Sequence, residues 1–130
     1  MDVIAVSSQR RRQLVDVTSY VQESVAASEV SEGLCHVCVP HTTAAVMLNE
    51  NADPAVADDI VRALEAIVPK LAWRHDEGNS DAHLLSALLG PAISIPISGG
   101  ELALGRWQAV FLVELDGPRK RELWVTCLRA

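Results

Sequence analysis

The sequence is poor in aromatic and in basic residues. Aromatic residues make up 4% of the 130 positions, so a core has to be built mainly from Val, Leu, Ile and Ala. The 11 basic residues are outnumbered by 17 acidic ones, which gives a net charge of −6. Because a protein that binds polyanions through charge is basic, we expect no nucleic acid among its partners.

The sequence also lacks a long apolar run. Its most apolar region, residues 83–97, is too short to span a bilayer and is interrupted by Gly90, Pro91 and Pro96. Residues 1–8 carry no basic flank before an apolar stretch and do not resemble a signal peptide. We therefore expect no membrane partner.

Cysteine is scarce as well, with three residues in the chain. Cys35 and Cys38 match a CxxC motif, but they lie in a predicted strand, where residues three apart face opposite sides. A thioredoxin-type pair needs the start of a helix, and a zinc ribbon needs a second CxxC. We interpret all three, including Cys127, as small buried strand residues. The odd number favours a reducing compartment, so we expect a cytoplasmic protein.

The remaining composition is ordinary for a globular domain. Hydrophobic residues make up 49% and charged residues 22%, which excludes intrinsic disorder and low complexity. A chain of this length buries about two-thirds of the surface that its unfolded form exposes. We expect residues 1–130 to form one domain.

Apolar periodicity predicts an alternation of strands and helices. Strands are predicted at residues 3–6, 11–17, 34–39, 44–48, 92–98, 106–114 and 121–128. Helices are predicted from a cap at Thr18 or Ser19 to Ser28, from Asp53-Pro54 to a stop at Pro69, and at residues 81–89.

Hairpin-like connections dominate this order, so we predict an α+β fold with mostly antiparallel strands. In the last strands, the residues that face either side of the sheet are apolar, as at residues 110–113. This pattern indicates either a β-sandwich or a subunit interface.

Three polar clusters interrupt these elements, at residues 41–43, 49–53 and 75–83. Loops with this density of His, Asn, Asp and Glu commonly bind ligands or catalyse reactions. His41, His75 and His83 are candidates for convergence on one divalent ion, because three protein ligands with an open position are typical of a catalytic metal site. The alternative is three separate surface or capping histidines. We interpret His36, inside a strand, as structural.

The carboxylates and amides of these clusters are further candidates. Asp53 has a sufficient role as a helix cap, so Glu50 is the stronger functional candidate. Asn49, Asn51 and Asn79 are suited to orienting a substrate or a phosphate group, and turn chemistry is the alternative.

Positive charge is concentrated in two triplets, Arg10–Arg12 and Arg119–Arg121, at the turns of predicted hairpins. Attraction of phosphate is one interpretation. We favour the other, in which solvated hairpin ends keep sheet edges from pairing wrongly.

Several of these motifs, in this order, resemble the YjbQ family, also catalogued as UPF0047. The resemblance runs from about Gly33 to the C-terminus. It rests on residues 40–45 (PHTTAA), 49–54 (NENADP), 75–84 (HDEGNSDAHL), 88–91 (LLGP), 105–108 (GRWQ) and 111–119 (FLVELDGPR).

The resemblance implies a small α+β domain with a β-sandwich that assembles as a homotrimer. It also implies a weak, secondary thiamine-phosphate synthase activity, in which a pyrimidine diphosphate is joined to a thiazole phosphate and pyrophosphate is released. The polar residues characteristic of the family match His41, Thr42, Thr43, Glu50, Asn51, Asp53, His75, Gly78, Asn79, His83 and Gln108 here.

Roles in such a reaction follow as hypotheses. Either a divalent ion, zinc or magnesium, is held by His41, His75 and His83 and binds the diphosphate, or His83 protonates the leaving group. We assign catalytic roles to His83, Glu50 and His41, with Glu50 binding the aminopyrimidine or orienting a histidine. The expected substrate-binding residues are Thr42, Thr43, Asn51, Asn79, Gln108 and Arg106, with the Arg119 triplet as a further source of phosphate contacts.

A second function stays open. A trimeric protein that binds a metal or a small phosphorylated ligand without turnover would need the same histidines.

Overall fold

Eight strands and three helices follow one another along the chain, and the computed structural model describes residues 1–130. In chain order they are β1 (Asp2–Ser7), β2 (Gln13–Asp16), α1 (Thr18–Ser28), β3 (Glu32–Cys38), β4 (Ala44–Glu50), α2 (Pro54–Ile67), α3 (Ser80–Leu89), β5 (Ala92–Ser98), β6 (Glu101–Leu102), β7 (Gln108–Glu114) and β8 (Lys120–Arg129). Every predicted strand and helix is present. Only β6 was not predicted, because two residues carry no periodicity.

The strands form two antiparallel sheets, which confirms the α+β prediction. The large sheet has the order β1-β8-β3-β5-β6, and the small sheet has the order β2-β7-β4. Their facing sides share one core of 15 buried residues with α1. Val37 and Val125 enter this core from the large sheet, Val110 and Leu112 from the small sheet, and Val21 from α1.

The small sheet is a middle layer. Its second face packs against α2 and α3 through Ala45 and Val113, with Leu64 and Leu85 on the helices. Leu115, directly after β7, belongs to the same cluster. The apolar residues on both alternations of β7 therefore reflect burial on both faces within this chain. No helix of the structure is long and apolar enough to cross a membrane.

The outer face of the large sheet is not covered by any element of the chain. Val3, Leu34 and Leu128 on this face are 55%, 46% and 59% exposed. The register places His36 beside Thr126 and Ser94 in the same surface.

The starts of α1 and α2 show how carboxylates satisfy free backbone N–H groups. Asp53 Oδ1 accepts from Ala55 N at 2.9 Å, as predicted. The predicted cap of α1 was wrong, because Thr18 is already helical and Asp16 Oδ1 accepts from its N–H at 2.9 Å. The Thr18 hydroxyl instead accepts from Val110 N at 2.9 Å and ties the helix to the small sheet.

The predicted hairpins around the basic triplets were wrong. β1 and β8 belong to the large sheet, whereas β2 and β7 belong to the small one, so both connections cross between sheets. The two crossings touch, since Gly117 N donates to Arg11 O at 2.8 Å. A Cβ at Gly117 would lie 2.4 Å from Arg10 O, so only glycine fits this approach.

The strands predicted at residues 92–98 and 106–114 are also not joined by a direct hairpin. The Gly99-Gly100 turn joins β5 to the short β6, and the chain reaches β7 only afterwards. Both glycines have positive φ, at 60° and 79°, which the absence of a side chain permits.

A buried ion pair holds the two sheets together where these crossings meet. Glu114 is the last residue of β7 and Arg121 is the second residue of β8. Both occupy core-facing positions with at most 4% exposure. Arg121 Nε donates to Glu114 Oε1 at 2.9 Å, and Arg121 Nη2 donates to Thr43 O and Oγ1 at 2.9 Å each. Ser8 Oγ donates to Glu114 Oε1 at 2.6 Å.

Both charges are therefore compensated inside the core. Burial by itself raises the pKa of the Glu114 carboxyl, but the hydrogen bonds from Arg121 and Ser8 outweigh it and hold that pKa below its ordinary value. Removing one partner leaves the other as an unpaired buried charge.

Glu114→Gln should therefore lower the free energy of unfolding at pH 7 by about 3–5 kcal/mol. Urea unfolding measures the loss, and Glu23→Gln on the exposed face of α1 is the control. Because the folded pKa is depressed, the contribution of Glu114 is complete above its unfolded pKa of about 4.3 and disappears as the pH falls through the folded value. The difference in the free energy of unfolding between wild type and Glu114→Gln should become smaller as the pH falls. Equal free energies of unfolding at pH 7 would contradict the role of the ion pair.

Candidate functional site

The predicted site residues lie at two ends of the small sheet. Ala44 is paired with Glu114 at one end of the β4–β7 ladder, and Glu50 is paired with Gln108 at the other. We call these the Thr43 end and the Glu50 end. β4 has seven residues, and at about 3.3 Å per residue the two ends are roughly 20 Å apart.

His75 and His83 come together beside the Thr43 end. Their ring centroids are 5.4 Å apart, with the rings edge to face at 89°. Glu77 Oε1 lies 4.0 Å from His75 Nε2. The first turn of α3 carries His83, and Ser86 one turn later donates to Ala44 O at 2.7 Å, which fixes the helix against β4. Two imidazole rings and a carboxylate thus lie close enough together to contact one small ligand.

His41 occupies a defined position at the same end of the sheet. Its Nε2 accepts a hydrogen bond from Glu122 N at 2.8 Å. Because a backbone N–H can only donate, the neutral ring carries its proton on Nδ1. Burial and the neighbouring charge of Arg121 lower the pKa of His41. His41 is therefore arranged as a neutral hydrogen-bond donor through Nδ1 rather than as a general base.

The two threonines differ. Thr42 is exposed, whereas Thr43 is buried and its hydroxyl accepts from Arg121. Thr43 thus supports Arg121 from within the fold, and Thr42 is the one that is open to a ligand.

Asn79 is buried and bridges two loops. Its Nδ2 donates to Asp116 Oδ2 at 2.8 Å and to Glu77 Oε2 at 3.4 Å. Its Oδ1 is buried without a hydrogen-bond partner in the chain. The position of Asn79 directly before α3 makes it the residue that connects the His75 loop to the β7–β8 crossing.

The Glu50 end gathers the other candidates. Glu50 is half-buried, and Asn51 Nδ2 donates to Asp16 Oδ2. Gln108 Oε1 accepts from Gly105 N at 2.8 Å and closes the turn that presents Arg106.

The turn at this end also carries a residue that sequence reasoning left out of the site. The Arg106 guanidinium lies 4.8 Å from the ring centroid of Trp107, which is 55% exposed. A Trp at the tip of an exposed turn, directly after Arg106, was the signal in the sequence.

The basic triplets are only partly solvated, so the favoured interpretation of solvated hairpin ends was wrong for Arg12 and Arg121. The Arg12 side chain is 5% exposed and pairs with Asp81. Arg11 pairs with Asp81 at 3.0 Å and stays half-exposed.

Asp116 anchors the second triplet. It pairs with Arg119 at 2.8 Å, and Arg119 remains half-exposed. The exposed basic side chains at this end are Arg10, Arg11, Arg119 and Lys120. We call these four residues the basic rim.

Asp81 ties the first triplet to α3. Burial raises the pKa of Asp81, but its bond from Ala82 N–H and the charges of Arg11 and Arg12 lower that pKa further than burial raises it. An ionised Asp81 thus holds the first turn of α3, and with it His83, against the β1–β2 crossing.

Sequence reasoning missed Glu114 and the structural role of Arg121. The signal was a glutamate at the end of the otherwise apolar β7, because a charged residue at a core-facing position is almost always paired.

The chain by itself does not fit the predicted three-histidine metal centre. No group of three or more His, Cys, Asp or Glu side chains is placed to hold a metal ion. The Nε2 lone pair of His41 is used by Glu122 N–H, and only His75 and His83 are adjacent. The zinc or magnesium ion stays a prediction.

We expect the His41 ring to remain neutral at pH 7 with its proton on Nδ1, and to titrate below the ordinary value of about 6.5. Nitrogen-15 NMR of the ring nitrogens measures the tautomer and the midpoint, and His41→Gln assigns the signal. Glu122 opposes the shift, so Glu122→Gln should lower the midpoint further. A midpoint at or above the ordinary value, or a proton on Nε2, would disprove this arrangement.

Comparisons with known proteins agree along the whole chain. The family model described as UPF0047 protein YjbQ-like matches residues 2–130. A UPF0047 protein from Methanocaldococcus jannaschii is 45% identical over 122 residues, which cover 92% of this chain and 88% of that protein. The UPF0047 protein YugU from Bacillus subtilis is 32% identical over 130 residues, which cover 96% of each.

Solved structures agree in fold. A YjbQ/UPF0047 family protein from Clostridium acetobutylicum has a TM-score of 0.95 at 40% identity and covers 98% of this chain and 100% of its own. A conserved hypothetical protein from Thermus thermophilus has a TM-score of 0.91 at 40% identity, with 98% and 100% covered. With a matching family model and relatives of this identity, the chain belongs to the YjbQ/UPF0047 family.

Proposed function

We propose that this protein catalyses a thiamine-phosphate synthase type of transfer at the Thr43 end. A pyrimidine diphosphate and a thiazole phosphate are the substrates, and pyrophosphate is released. The observation that carries the proposal is the edge-to-face pair of His75 and His83, with Glu77 beside it, next to the basic rim.

The reaction needs charge stabilisation more than a strong base. The bond between the pyrimidine methylene carbon and the diphosphate oxygen breaks, its electron pair leaves with pyrophosphate, and the thiazole nitrogen attacks the carbon. Preorganised positive charge beside the departing diphosphate lowers the barrier. The half-exposed guanidiniums of Arg11 and Arg119 are suited to this role, because their carboxylate partners already orient them.

The histidine pair supplies the proton. In this proposal His83 protonates the departing oxygen, and His75, steadied by Glu77, returns a proton to His83 after release. His41 donates from Nδ1 to a substrate acceptor, which agrees with its neutral tautomer. The exposed Thr42 helps to position the phosphate groups, and Asn79 acts indirectly by holding the His75 loop against the β7–β8 crossing.

Glu50 requires a second copy of the chain if it acts in the same site. It lies roughly 20 Å from the Thr43 end of its own chain, too far to touch the same substrate atoms. We therefore propose a homotrimer in which the Glu50 end of one copy, with Asn51, Gln108 and Arg106, completes the Thr43 end of its neighbour. Head-to-tail contacts of this kind close into rings. The uncovered apolar face of the large sheet agrees with association.

His83→Ala should reduce thiamine-phosphate formation by about 10²–10⁴-fold relative to wild type, because a general acid contributes that much. Matched preparations are assayed for product against enzyme concentration. Asp59→Ala, on the exposed face of α2, is the control and should keep full activity.

Three outcomes of this assay separate the alternatives. Product from wild type and Asp59→Ala alone supports the proposal. Equal product from His83→Ala indicates a contaminating synthase or a site elsewhere, and overturns the role of the histidine pair. No product from any variant favours a binding protein without turnover, which the same histidines and basic rim would suit.

The shared site predicts complementation. His83→Ala and Glu50→Gln should each be inactive, yet their co-expression should restore about a quarter of wild-type activity, because random assembly of a ring leaves that share of interfaces intact. His83→Ala with His75→Ala is the matched control and should restore none, since both changes lie at the Thr43 end. Active wild type without complementation would reject the shared site and leave the synthase proposal standing.

A further inference from the structure

Two cysteines that the proposed chemistry does not use lie opposite each other in the large sheet. Cys35 on β3 is in register with Cys127 on β8. Ala130 N donates to Glu32 O at 3.0 Å, so residues 32 and 130 form a hydrogen-bonded pair of this antiparallel ladder. The two kinds of pair alternate along the ladder, which makes Cys35 and Cys127 a non-hydrogen-bonded pair.

This register has a direct geometric consequence. Cα atoms of a non-hydrogen-bonded pair are about 4.5 Å apart, and their side chains approach more closely than those of the other kind of pair. Disulfides span Cα separations of about 4.4–6.8 Å. The backbone therefore holds the two cysteines within bonding range without any movement of the strands.

The two thiols differ in access. Cys35 is fully buried in the core between the sheets. Cys127 is half-buried and lines a cavity of about 220 Å³ whose walls include Ser24 and Ala27 of α1. Cys38 belongs to the opposite face of β3, where it is in register with Trp124. A small oxidant therefore meets Cys127 first, and Cys35 is the thiol that Cys127 can reach.

The protonation of Cys35 agrees with this order. Burial, the negative charge of an ionised Cys127 and a side-chain hydrogen bond to Cys127 raise the pKa of Cys35 to about 12. Cys35 thus stays a thiol while Cys127 reacts. The proton of Cys35 therefore has to leave in the step in which Cys35 attacks the oxidised Cys127.

We propose that Cys35 and Cys127 form a peroxide-reactive dithiol that closes an intrachain disulfide between β3 and β8. The Cys127 sulfur attacks hydrogen peroxide, the O–O bond breaks, and sulfenic acid and water form. The Cys35 sulfur then attacks the sulfenic sulfur, and its proton leaves with the hydroxyl as a second water. Both sulfurs are oxidised, and the peroxide is the two-electron acceptor.

The disulfide would constrain most of the chain. It joins residues far apart in sequence, so it restricts the unfolded state strongly and should raise the melting temperature reversibly. β8 also carries Arg121 and Glu122, which hold Thr43 and His41. The bond would therefore stabilise the strand on which the Thr43 end depends.

The test treats purified wild type, Cys38→Ser and Cys127→Ser with hydrogen peroxide, blocks free thiols with iodoacetamide, and maps the linked peptides by mass spectrometry. Wild type and Cys38→Ser should each contain one disulfide between Cys35 and Cys127, with a higher melting temperature that dithiothreitol reverses. Cys127→Ser should show neither change.

Other products overturn the proposal. Sulfinic acid at Cys127 with Cys35 unmodified, a bond that includes Cys38, or a bond between two chains would each show that the pair does not close. Because the decisive observation is made on wild type and Cys38→Ser, poor folding of Cys127→Ser does not affect the conclusion.

Discussion

The ion pair between Glu114 and Arg121 is the interaction on which the Thr43 end depends. It lies at the point where β7 leaves the small sheet and β8 enters the large one. At this edge of the apolar core, a buried ion pair joins the two sheets. Arg121 also holds both oxygen atoms of Thr43. The next residue, Glu122, presents its N–H to His41. The backbone N–H directly after Arg121 therefore sets the tautomer of the half-buried His41.

The acidic chain presents positive charge only locally. The carboxylates of Asp81 and Asp116 hold three guanidiniums in place, those of Arg11, Arg12 and Arg119. These side chains therefore lose little conformational entropy when a ligand binds. The proposed small anionic ligand would be attracted to the basic rim, whereas a long polyanion would also meet the negatively charged remainder of the surface. This contrast agrees with a phosphorylated small molecule as the ligand and with the net charge of −6.

The length of β4 divides the polar residues that match the family into two groups, one at the Thr43 end and one at the Glu50 end. A strand is rigid and its length follows from its residue count, so the Thr43 end and the Glu50 end of one copy are roughly 20 Å apart. His41 and Glu50 are thus close in sequence but far apart in space within one copy. In the proposed trimer, the Glu50 end of one copy lies beside the Thr43 end of its neighbour. The histidine pair, by contrast, depends on α3 docking on β4 and is complete within one chain.

The sequence by itself determined the longer helices and strands, the antiparallel α+β class and the Asp53 cap, because apolar periodicity and helix caps are local features. It also determined the family, because the motifs that carry the resemblance are contiguous stretches of sequence in a fixed order. Only the tertiary structure decided which turns cross between sheets, because a hairpin and a crossing have the same turn residues. It also decided that Arg12 and Arg121 are buried, and that Cys35 faces Cys127. Burial and register depend on which strand lies beside which, and that is settled by packing of the whole core rather than by any stretch of sequence.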